Sequence, residues 1–600
     1  MNSNTREQLK KAGALAFLQV LILSAPAAEA QQPGTGPRAD VDRIAAQVTR
    51  LADAYVAEFV TRFPDHAELS GLAVARRDAL TDNSLEALRN WQALEDRWAQ
   101  EIEPLDAAVL RSRPEWITLG FLEEAIESSR RQRVCRYELW PINQLSGWQA
   151  RMAQLAAVQL VGTETARAEA LARWAQLPRY LDTEIRNLRE GVRRSYTTPK
   201  HNVQLVIEQL DDLLVKPAEQ WPFYGPAERD KSVAFQSAWK KLLTERIAPA
   251  IERYRAYLRD EYLAKAREPI AITAHPQGEA CYQASFRAYT TIERPGAETF
   301  ALGREQVERN LAAALDIGRK SLRAGDLKTL VARINEDPAN RFQSREQLLA
   351  FARESVARAR KPLSQWFTRV PRADITVEPY PSFLEREAND GYWPAAEDGS
   401  RPAMYRIALY RFAATTRSNA EVTAFHEAYP GHHLQIGLAL ERPAAHTITR
   451  LVGNSAFAEG WARYAEALSE EMGLYSSDYA RANRRLWPAR GMVVDPGIHL
   501  FGWTREQATA FILESGRFPP ETSAAAIDRI AVWPAQLTAY DTGSLEFFAL
   551  REQAMAALGE RFDIREFHDV VLGSGTVTLP MLREQVRIWL ESKKAVSGTQ

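Results

Sequence analysis

The sequence predicts a mainly α-helical protein that contains one small β-strand element. Two long segments, residues 41–267 and 412–594, repeat apolar residues at spacings of three and four with arginine and glutamate between them. This pattern is typical of helices that bury one face. One shorter segment, residues 370–412, is instead rich in residues that favour strands. No repeat at a solenoid period is visible, so a repeat scaffold is not expected.

The composition indicates an ordinary soluble protein with enough residues for a large core. Of its 600 residues, 46% are hydrophobic and 26% are charged, which argues against a disordered chain and against a protein with many membrane spans. Lysine plus arginine (76) almost balances aspartate plus glutamate (77). The bulk charge therefore gives no reason to expect nucleic acid or an anionic membrane as a partner.

The first thirty residues have the order of a secretory signal. Two lysines precede an apolar run over residues 12–23, and the small residues Ala28 and Ala30 predict cleavage between Ala30 and Gln31. The run is too short to cross a membrane comfortably, although an uncleaved anchor or a frayed helix is the alternative. We expect a periplasmic or secreted mature chain without an integral membrane segment.

The mature chain, residues 31–600, is predicted to be a single helical domain, with halves at about 31–270 and 271–600 as the alternative division. No cysteine follows the apolar run, so a lipid anchor is not predicted. Cys135 and Cys281 are the two cysteines of the sequence. We expect two buried thiols, although a compartment that permits disulfides would let them pair if the fold brought them together.

Within the helical segments, Asn83 or Ser84 is expected to cap a helix. The β element is predicted from two runs, one beginning at Ile375 and one at Met404, which a loop of glycine, proline, aspartate and serine separates. These runs predict a strand pair just before the histidine-rich helix. Such a pair could offer an edge to an extended peptide, or it could simply pack against the core.

A cluster of histidines indicates a chemically active site. Of nine histidines, three fall within residues 426–433, namely His426, His432 and His433, and Glu427 directly follows the first. A catalytic zinc site commonly uses two imidazoles and a carboxylate and leaves one position for water. A glutamate after the first histidine is typical of the general base in helical zinc motifs. We therefore predict a Zn²⁺ site with Glu427 as the base; a hydrogen-bonded loop is the alternative.

The spacing of these histidines does not fit a regular helix. His432 would lie about 240° around the axis from His426, and His433 would lie roughly 10 Å further along it. Pro430 and Gly431 allow the helix to bulge and absorb the extra residues. His432 is favoured as the second ligand because it follows Gly431 directly, and His433 is kept as the alternative.

The third ligand is expected to be a carboxylate on a following helix, and Glu459 provides one. Gly460, beside it, would allow that helix to approach the helix of His426 closely. The alternative is that Glu459 is a solvated or salt-bridged acid, which is the usual environment of a glutamate.

Four stretches carry a resemblance to a known family: HEAYPGHHLQ, FAEGWARYAE, ARGMVVDPGIHLFGW and RIAVWPAQLTAYDTG. They resemble the bacterial family called domain of unknown function 885, from about residue 40 to the C-terminus. That family in turn looks like a distant relative of the helical gluzincins of the carboxypeptidase Taq, thimet oligopeptidase and angiotensin-converting-enzyme types. The likeness implies a helical clamshell with a deep channel for oligopeptides, and it aligns Gly431-His432 with the Gly-His of those enzymes.

The resemblance also nominates residues for transition-state stabilisation and substrate binding. The stretch that begins at Gln536 is similar to one that supplies a catalytic tyrosine in carboxypeptidase Taq enzymes, which implies Tyr540, and His499 is the other candidate for the oxyanion. Gln536 and the arginines Arg490 and Arg529 are candidates for substrate binding, because a guanidinium can bind a carboxylate with two hydrogen bonds.

The chain departs from the family pattern at two positions, with Pro496 where threonine is usual and Ala535 where glycine is usual. These departures concern loop geometry and not the ligands.

The predicted function is that of an exported zinc metallopeptidase that hydrolyses oligopeptides through a water activated by zinc, with Glu427 as general base. Two alternatives stay open. The same site could hydrolyse a non-peptide amide or ester, or the chain could be a non-catalytic periplasmic binding protein whose metal has a fourth protein ligand such as His433.

Overall fold

The computed structural model describes residues 37–74, 76–380, 385, 390–395 and 401–597, and the predicted signal over residues 1–30 lies outside them. The prediction of a mainly α protein is confirmed, since helices dominate the described chain and a single small sheet accompanies them. None of the described helices is both long and apolar enough to cross a membrane.

The described chain up to residue 257 is mainly helical. Ser84 caps the third helix, because its hydroxyl accepts a hydrogen bond from the backbone amide of Ala87, which decides between the two predicted caps. The helices are α1 (Pro37–Arg62), α2 (Pro64–Leu69), α3 (Leu85–Ile102), α4 (Pro114–Gln132), α5 (Trp148–Val158), α6 (Glu164–Trp174), α7 (Leu177–Arg193), α8 (Lys200–Val215), α9 (Gly225–Arg229), α10 (Val233–Leu242) and α11 (Ala248–Tyr257).

The remaining elements surround the sheet in sequence. Before it come α12 (Gly278–Thr290), α13 (Gly296–Ile317), α14 (Leu327–Glu336), α15 (Arg345–Arg360) and α16 (Leu363–Trp366). After it come α17 (Arg417–Glu427), α18 (His432–Leu440), α19 (Ser455–Glu471), α20 (Asp478–Asn483), α21 (Gly491–His499), α22 (Arg505–Glu514), α23 (Pro520–Val532), α24 (Ala539–Leu558), α25 (Ile564–Leu572) and α26 (Leu579–Ser597).

The sheet has three strands: β1 (Ile375–Pro379), β2 (Gly391–Trp393) and β3 (Ala403–Ile407). Their order is β1-β3-β2, with β1 parallel and β2 antiparallel to the central β3. The predicted pair is therefore present, but the stretch assigned to a loop also contributes the short strand β2. In the described chain, β1 and β2 are the outer strands of this sheet.

The buried side chains do not divide at residue 270. One large core joins α1, α3 and α4 to the helices that follow residue 272. A second core is built almost entirely from residues 142–262, which belong to α5–α11 and their connections. The first helices therefore share a core with the C-terminal ones.

The expectation of two separate thiols is wrong. Cys135 follows α4 and Cys281 lies in α12, and the fold brings their Cα atoms to 4.7 Å, where the sulfurs form a disulfide. Sequence spacing could not reveal this, since 146 residues separate the two positions. The bridge lies inside the large core.

Helices α19 and α24 cross at two glycines. A Cβ on Gly460 would lie 2.5 Å from the Cα of Gly543, and a Cβ on Gly543 would lie 1.7 Å from the carbonyl oxygen of Ala456. Only glycine permits this approach. As predicted, Gly460 allows another helix to approach closely. That helix is α24, however, and not the helix of His426.

Candidate metal centre

The histidine cluster lies where one helix stops and another begins. Helix α17 ends at Glu427 and α18 starts at His432, and a turn that contains the cis peptide Tyr429–Pro430 joins them. The predicted bulge within one helix is therefore wrong in form. Proline and glycine end the first helix outright, because proline cannot continue its hydrogen bonding.

Gly431 allows the turn to fold tightly against the end of α17. A Cβ at this position would lie 1.9 Å from the carbonyl oxygen of His426, a distance that no side chain tolerates. Trp461 of α19 holds the turn from the other side, since its indole N–H donates to the carbonyl of Pro430 at 2.9 Å. As a result, the rings of His426 and His432 lie 4.8 Å apart between centroids.

Glu459 meets both histidines from α19. The helix is capped by Asn454, whose side chain accepts from the amide of Phe457. The Nε2 atoms of His426 and His432 are each 3.5 Å from Oε2 of Glu459. One ligand atom from each of the three residues lies within 4.8 Å of the others. The structure thus brings the three predicted ligands together.

The charged side chains of this cluster shift one another's pKa values. Burial alone would raise the pKa of Glu459, but hydrogen bonds and charge interactions with the two histidines hold the pKa well below its usual range. Burial alone would lower the pKa of His426, but the carboxylates of Glu459 and Glu466 raise it to about 9. The carboxylate of Glu459 is therefore ionised, and it stabilises the protonated form of His426.

The donor set fits zinc. Two imidazole nitrogens and one carboxylate are the ligands of many catalytic zinc sites. The Nδ1 atom of His426 is 2.9 Å from Oε1 of Glu466, which leaves Nε2 for a metal and matches the carboxylate–histidine arrangement of zinc proteins. The buried Nδ1 of His432 has no hydrogen-bond partner in the described part of the chain. His426, His432 and Glu459 are thus the residues that would hold the ion.

His433 does not point into this cluster. Its Nε2 lies 3.0 Å from the hydroxyl of Tyr429, and its Nδ1 lies 3.2 Å from the hydroxyl of Tyr392 on β2. Burial lowers the pKa of its imidazole to about 4. Because both ring nitrogens have partners, the geometry favours His432 over the alternative His433.

Glu427, the predicted base, is half-buried at the end of α17. Burial raises the pKa of its carboxyl group, and the nearby charges of His426 and His432 oppose that shift. Glu459 and Asp390 act in the same direction as burial. A carboxyl group whose pKa is raised and that interacts with the charges of both histidines is suited to accept a proton and return it.

Tyr540, Arg529 and Gln536 lie together beside the cluster. The ring of Tyr540 is 6.4 Å from that of His426 and nearly parallel to it. Arg529 donates to the hydroxyl of Tyr540 at 3.4 Å and to the side-chain oxygen of Gln536. Burial raises the pKa of Tyr540, which keeps its hydroxyl protonated as a hydrogen-bond donor. These three predicted residues therefore share the site.

Two other predicted residues do not reach it. His499 is fully buried, its Nδ1 accepts from the amide of Ile272 at 3.0 Å, and its Nε2 lies 2.9 Å from the carbonyl of Ile530. Arg490 is also buried, and it donates to the backbone carbonyls of Leu486 and Phe511 and to the carboxylate of Glu514. Both side chains hold backbone segments together, and the structure does not bring them to the ligand cluster.

Sequence reasoning missed three residues around the ligands. Glu466 contacts His426, Arg463 contacts Glu466, and the ring of Tyr392 stacks 6.5 Å from that of His432. The sequence does contain an indication of Glu466 and Arg463. They lie seven and four residues after Glu459 and so share its face of α19. Tyr392 gave no signal, because it lies in a strand of only three residues.

Comparison with known proteins identifies the family. The family described as "Bacterial protein of unknown function (DUF885)" matches residues 64–586. No curated protein matched the chain. A solved structure titled "putative lipoprotein" from Colwellia psychrerythraea is 24% identical, covers 92% of this chain and 99% of its own, and superposes with a TM-score of 0.83. A "putative lipoprotein of unknown function" from Shewanella oneidensis is 18% identical, with 90% and 99% coverage and a TM-score of 0.73. At these identities the two solved structures show a shared fold and nothing more. The family match covers most of the chain, and it establishes that this chain belongs to the DUF885 family of bacterial proteins.

Proposed function

We propose that the chain is a zinc-dependent peptidase that acts on oligopeptides outside the cytoplasm. The observation that carries this proposal is the convergence of His426, His432 and Glu459, with their ligand atoms within 4.8 Å of one another, next to the half-buried Glu427. The ligand set and the adjacent carboxylate are those of zinc hydrolases. A distant relationship to the gluzincin peptidases, with their clamshell shape and deep channel, is part of the proposal.

The residues divide the chemistry between them. Zinc, when bound, would act as a Lewis acid that lowers the pKa of water and polarises the scissile carbonyl. Glu427 accepts the proton of the attacking water and delivers it to the leaving amine. Tyr540 donates a hydrogen bond to the oxyanion of the tetrahedral intermediate, and Arg529 orients its hydroxyl.

The substrate is proposed to lie along β2. Among the described residues this strand is at one edge of the sheet, and its Tyr392 contacts His433 and stacks near His432. An extended peptide that added to this edge would pass beside the ligand cluster. This geometry favours the substrate-binding interpretation of the β element over simple core packing. Arg529, which has no carboxylate partner among the described residues, is available to bind a substrate carboxylate.

Export is the second part of the proposal. It rests on the signal-like order of residues 1–30 and on the two structural relatives, whose titles name lipoproteins. The N-terminal sequence of the protein recovered from a periplasmic extract would test it. A mature chain that begins at Gln31 supports export with cleavage, whereas recovery of the intact chain from the cytoplasm contradicts it.

The activity is tested by incubating the zinc-loaded protein with a mixed peptide library and following cleavage by mass spectrometry. We expect Glu427→Gln to bind zinc normally and to cleave roughly 10²–10⁴ times more slowly, which is the contribution of a general base. Glu441→Gln, at the end of α18, is the matched control and should cleave as the wild type does.

The same experiment separates the alternatives. Zinc binding without peptide cleavage, but with hydrolysis of other amides or esters, would replace the peptidase proposal by that of another zinc hydrolase. A bound zinc whose fourth position is filled by a protein side chain would indicate a binding protein. His433 is poorly suited to that role because both its nitrogens contact tyrosine hydroxyls.

A further inference from the structure

A buried arginine lies beneath the ligand cluster. Arg463 is only 6% exposed and sits in α19, four residues after Glu459 and three before Glu466. Because residues three and four apart share a helix face, these three side chains form one stripe that faces α17 and α24. The ligand and the two charged residues behind it therefore come from a single helix.

On one side, Arg463 holds the carboxylate that contacts a ligand. Its Nη1 donates to both oxygens of Glu466, at 2.7 and 2.8 Å. Oε1 of Glu466 lies 2.9 Å from Nδ1 of His426. A carboxylate in this position fixes which imidazole nitrogen carries the proton and which way the ring faces. The arginine in turn fixes the carboxylate.

On the other side, Arg463 contacts the helix that carries Tyr540. Its Nε lies 3.6 Å from Oδ1 of Asp541, and its guanidinium lies 5.9 Å from the centre of the Tyr540 ring. The Tyr540 ring stacks on that of His426. Arg463 thus binds the carboxylate that supports a proposed metal ligand and also lies against the residue proposed to stabilise the oxyanion.

We infer that Arg463 is a positioning residue that aligns His426, through Glu466, with Tyr540. The inference rests on the proposed zinc peptidase and adds to it a device that fixes the relative geometry of ligand and oxyanion donor. Neither Arg463 nor Glu466 contacts substrate in this role. Their effect is on how the other two side chains are held.

The competing explanation is a buried ion pair that only stabilises the fold. Buried ion pairs are weak evidence for a stabilising role, since desolvation offsets most of their attraction. The two explanations differ in what is lost when the pair is broken. A merely structural pair affects unfolding alone, whereas a positioning residue affects zinc affinity and turnover separately.

The test compares Arg463→Met, Arg463→Lys, Glu466→Ala and the double variant Arg463→Met/Glu466→Ala. Zinc affinity is measured by competition with a chelating dye, kcat and KM are measured at saturating zinc, and the melting temperature is measured without metal. Arg173→Met is the matched control, because Arg173 is fully buried and paired with Glu68 far from the site.

We expect Arg463→Met and Glu466→Ala each to lower zinc affinity by about 10–100-fold, and the double variant to lose no more than the larger single loss, since both act through His426. At saturating zinc, kcat should fall further in Arg463→Met than in Glu466→Ala with KM little changed, because Arg463, unlike Glu466, lies against the ring of Tyr540. Arg173→Met should lower the melting temperature and leave zinc affinity unchanged.

Arg463→Lys keeps the charge but loses the planar guanidinium, so its losses of zinc affinity and kcat should be smaller than those of Arg463→Met. If Arg463→Met does not fold, Arg463→Lys is the variant that tests the inference. Wild-type zinc affinity and kcat in the folded Arg463 variants would overturn the inference. Failure of the proposed function would be recognised separately, because the wild-type protein itself would then bind no zinc or cleave no peptide.

Discussion

Replacing Gly431 with alanine should separate His432 from His426. The added Cβ would lie 1.9 Å from the carbonyl oxygen of His426 and 2.4 Å from that of Phe425, whereas real Cβ contacts stay beyond 3.0 Å. The obstructing atoms belong to the backbone and cannot rotate away. The turn must therefore open by about 1 Å, while metal–ligand distances tolerate only about 0.2 Å.

The expected consequence is the loss of one of three ligands. Zinc affinity should fall by more than about 100-fold, since disturbing a residue that merely supports a ligand already costs 10–100-fold. The clash should also lower the free energy of unfolding by about 1–3 kcal/mol.

Chelator competition and urea unfolding measure these two effects. Gly453→Ala is the control, because nothing lies within 4 Å of a Cβ there. Zinc affinity of the Gly431→Ala protein equal to that of the wild type would refute the argument that this turn creates the site.

Three further predictions concern Tyr540, His499 and Ala535. Tyr540→Phe should keep its zinc but lower kcat by about 10²–10³, the usual effect of removing an oxyanion donor, in steady-state assays of peptide cleavage; an unchanged kcat would remove Tyr540 from the mechanism. Burial lowers the pKa of His499 to about 3 from 6.5. As the pH falls through this window, the unfolded chain gains a proton that the folded chain does not, so stability is present above pH 6.5 and is lost towards pH 3. Urea unfolding of His499→Gln should depend less steeply on pH, with unchanged zinc affinity. Ala535 adopts a left-handed conformation with φ 69°, so Ala535→Gly should raise the free energy of unfolding by about 1 kcal/mol; a fall would show that the turn is not strained.

The general architecture and the ligand cluster could be predicted because both follow from local patterns. Apolar spacing predicts helices whatever their packing, and the chemistry of zinc ligands restricts the choice among nine histidines and many glutamates. The glycine at position 431 also gave a correct indication that the chain bends between His426 and His432. Only the structure shows that this bend is a break between two separate helices.

The rest depended on long-range packing. His499 lies in one of the four stretches that resemble the family, yet the fold uses both of its ring nitrogens to bind backbone groups of Ile272 and Ile530. The disulfide joins two positions that no local pattern connects. Ala535, where the family usually has glycine, keeps the left-handed turn that glycine would adopt more readily. For His499 and for the two cysteines, the partner of the side chain lies far away in the sequence.

The most direct test of the central claim is a crystal structure of the zinc-loaded protein with anomalous diffraction recorded at the zinc absorption edge. We expect one strong anomalous peak bound by Nε2 of His426, Nε2 of His432 and the carboxylate of Glu459, with the remaining position open to solvent. A peak bound by His433, a site closed by a fourth protein ligand, or no peak at this cluster would contradict it.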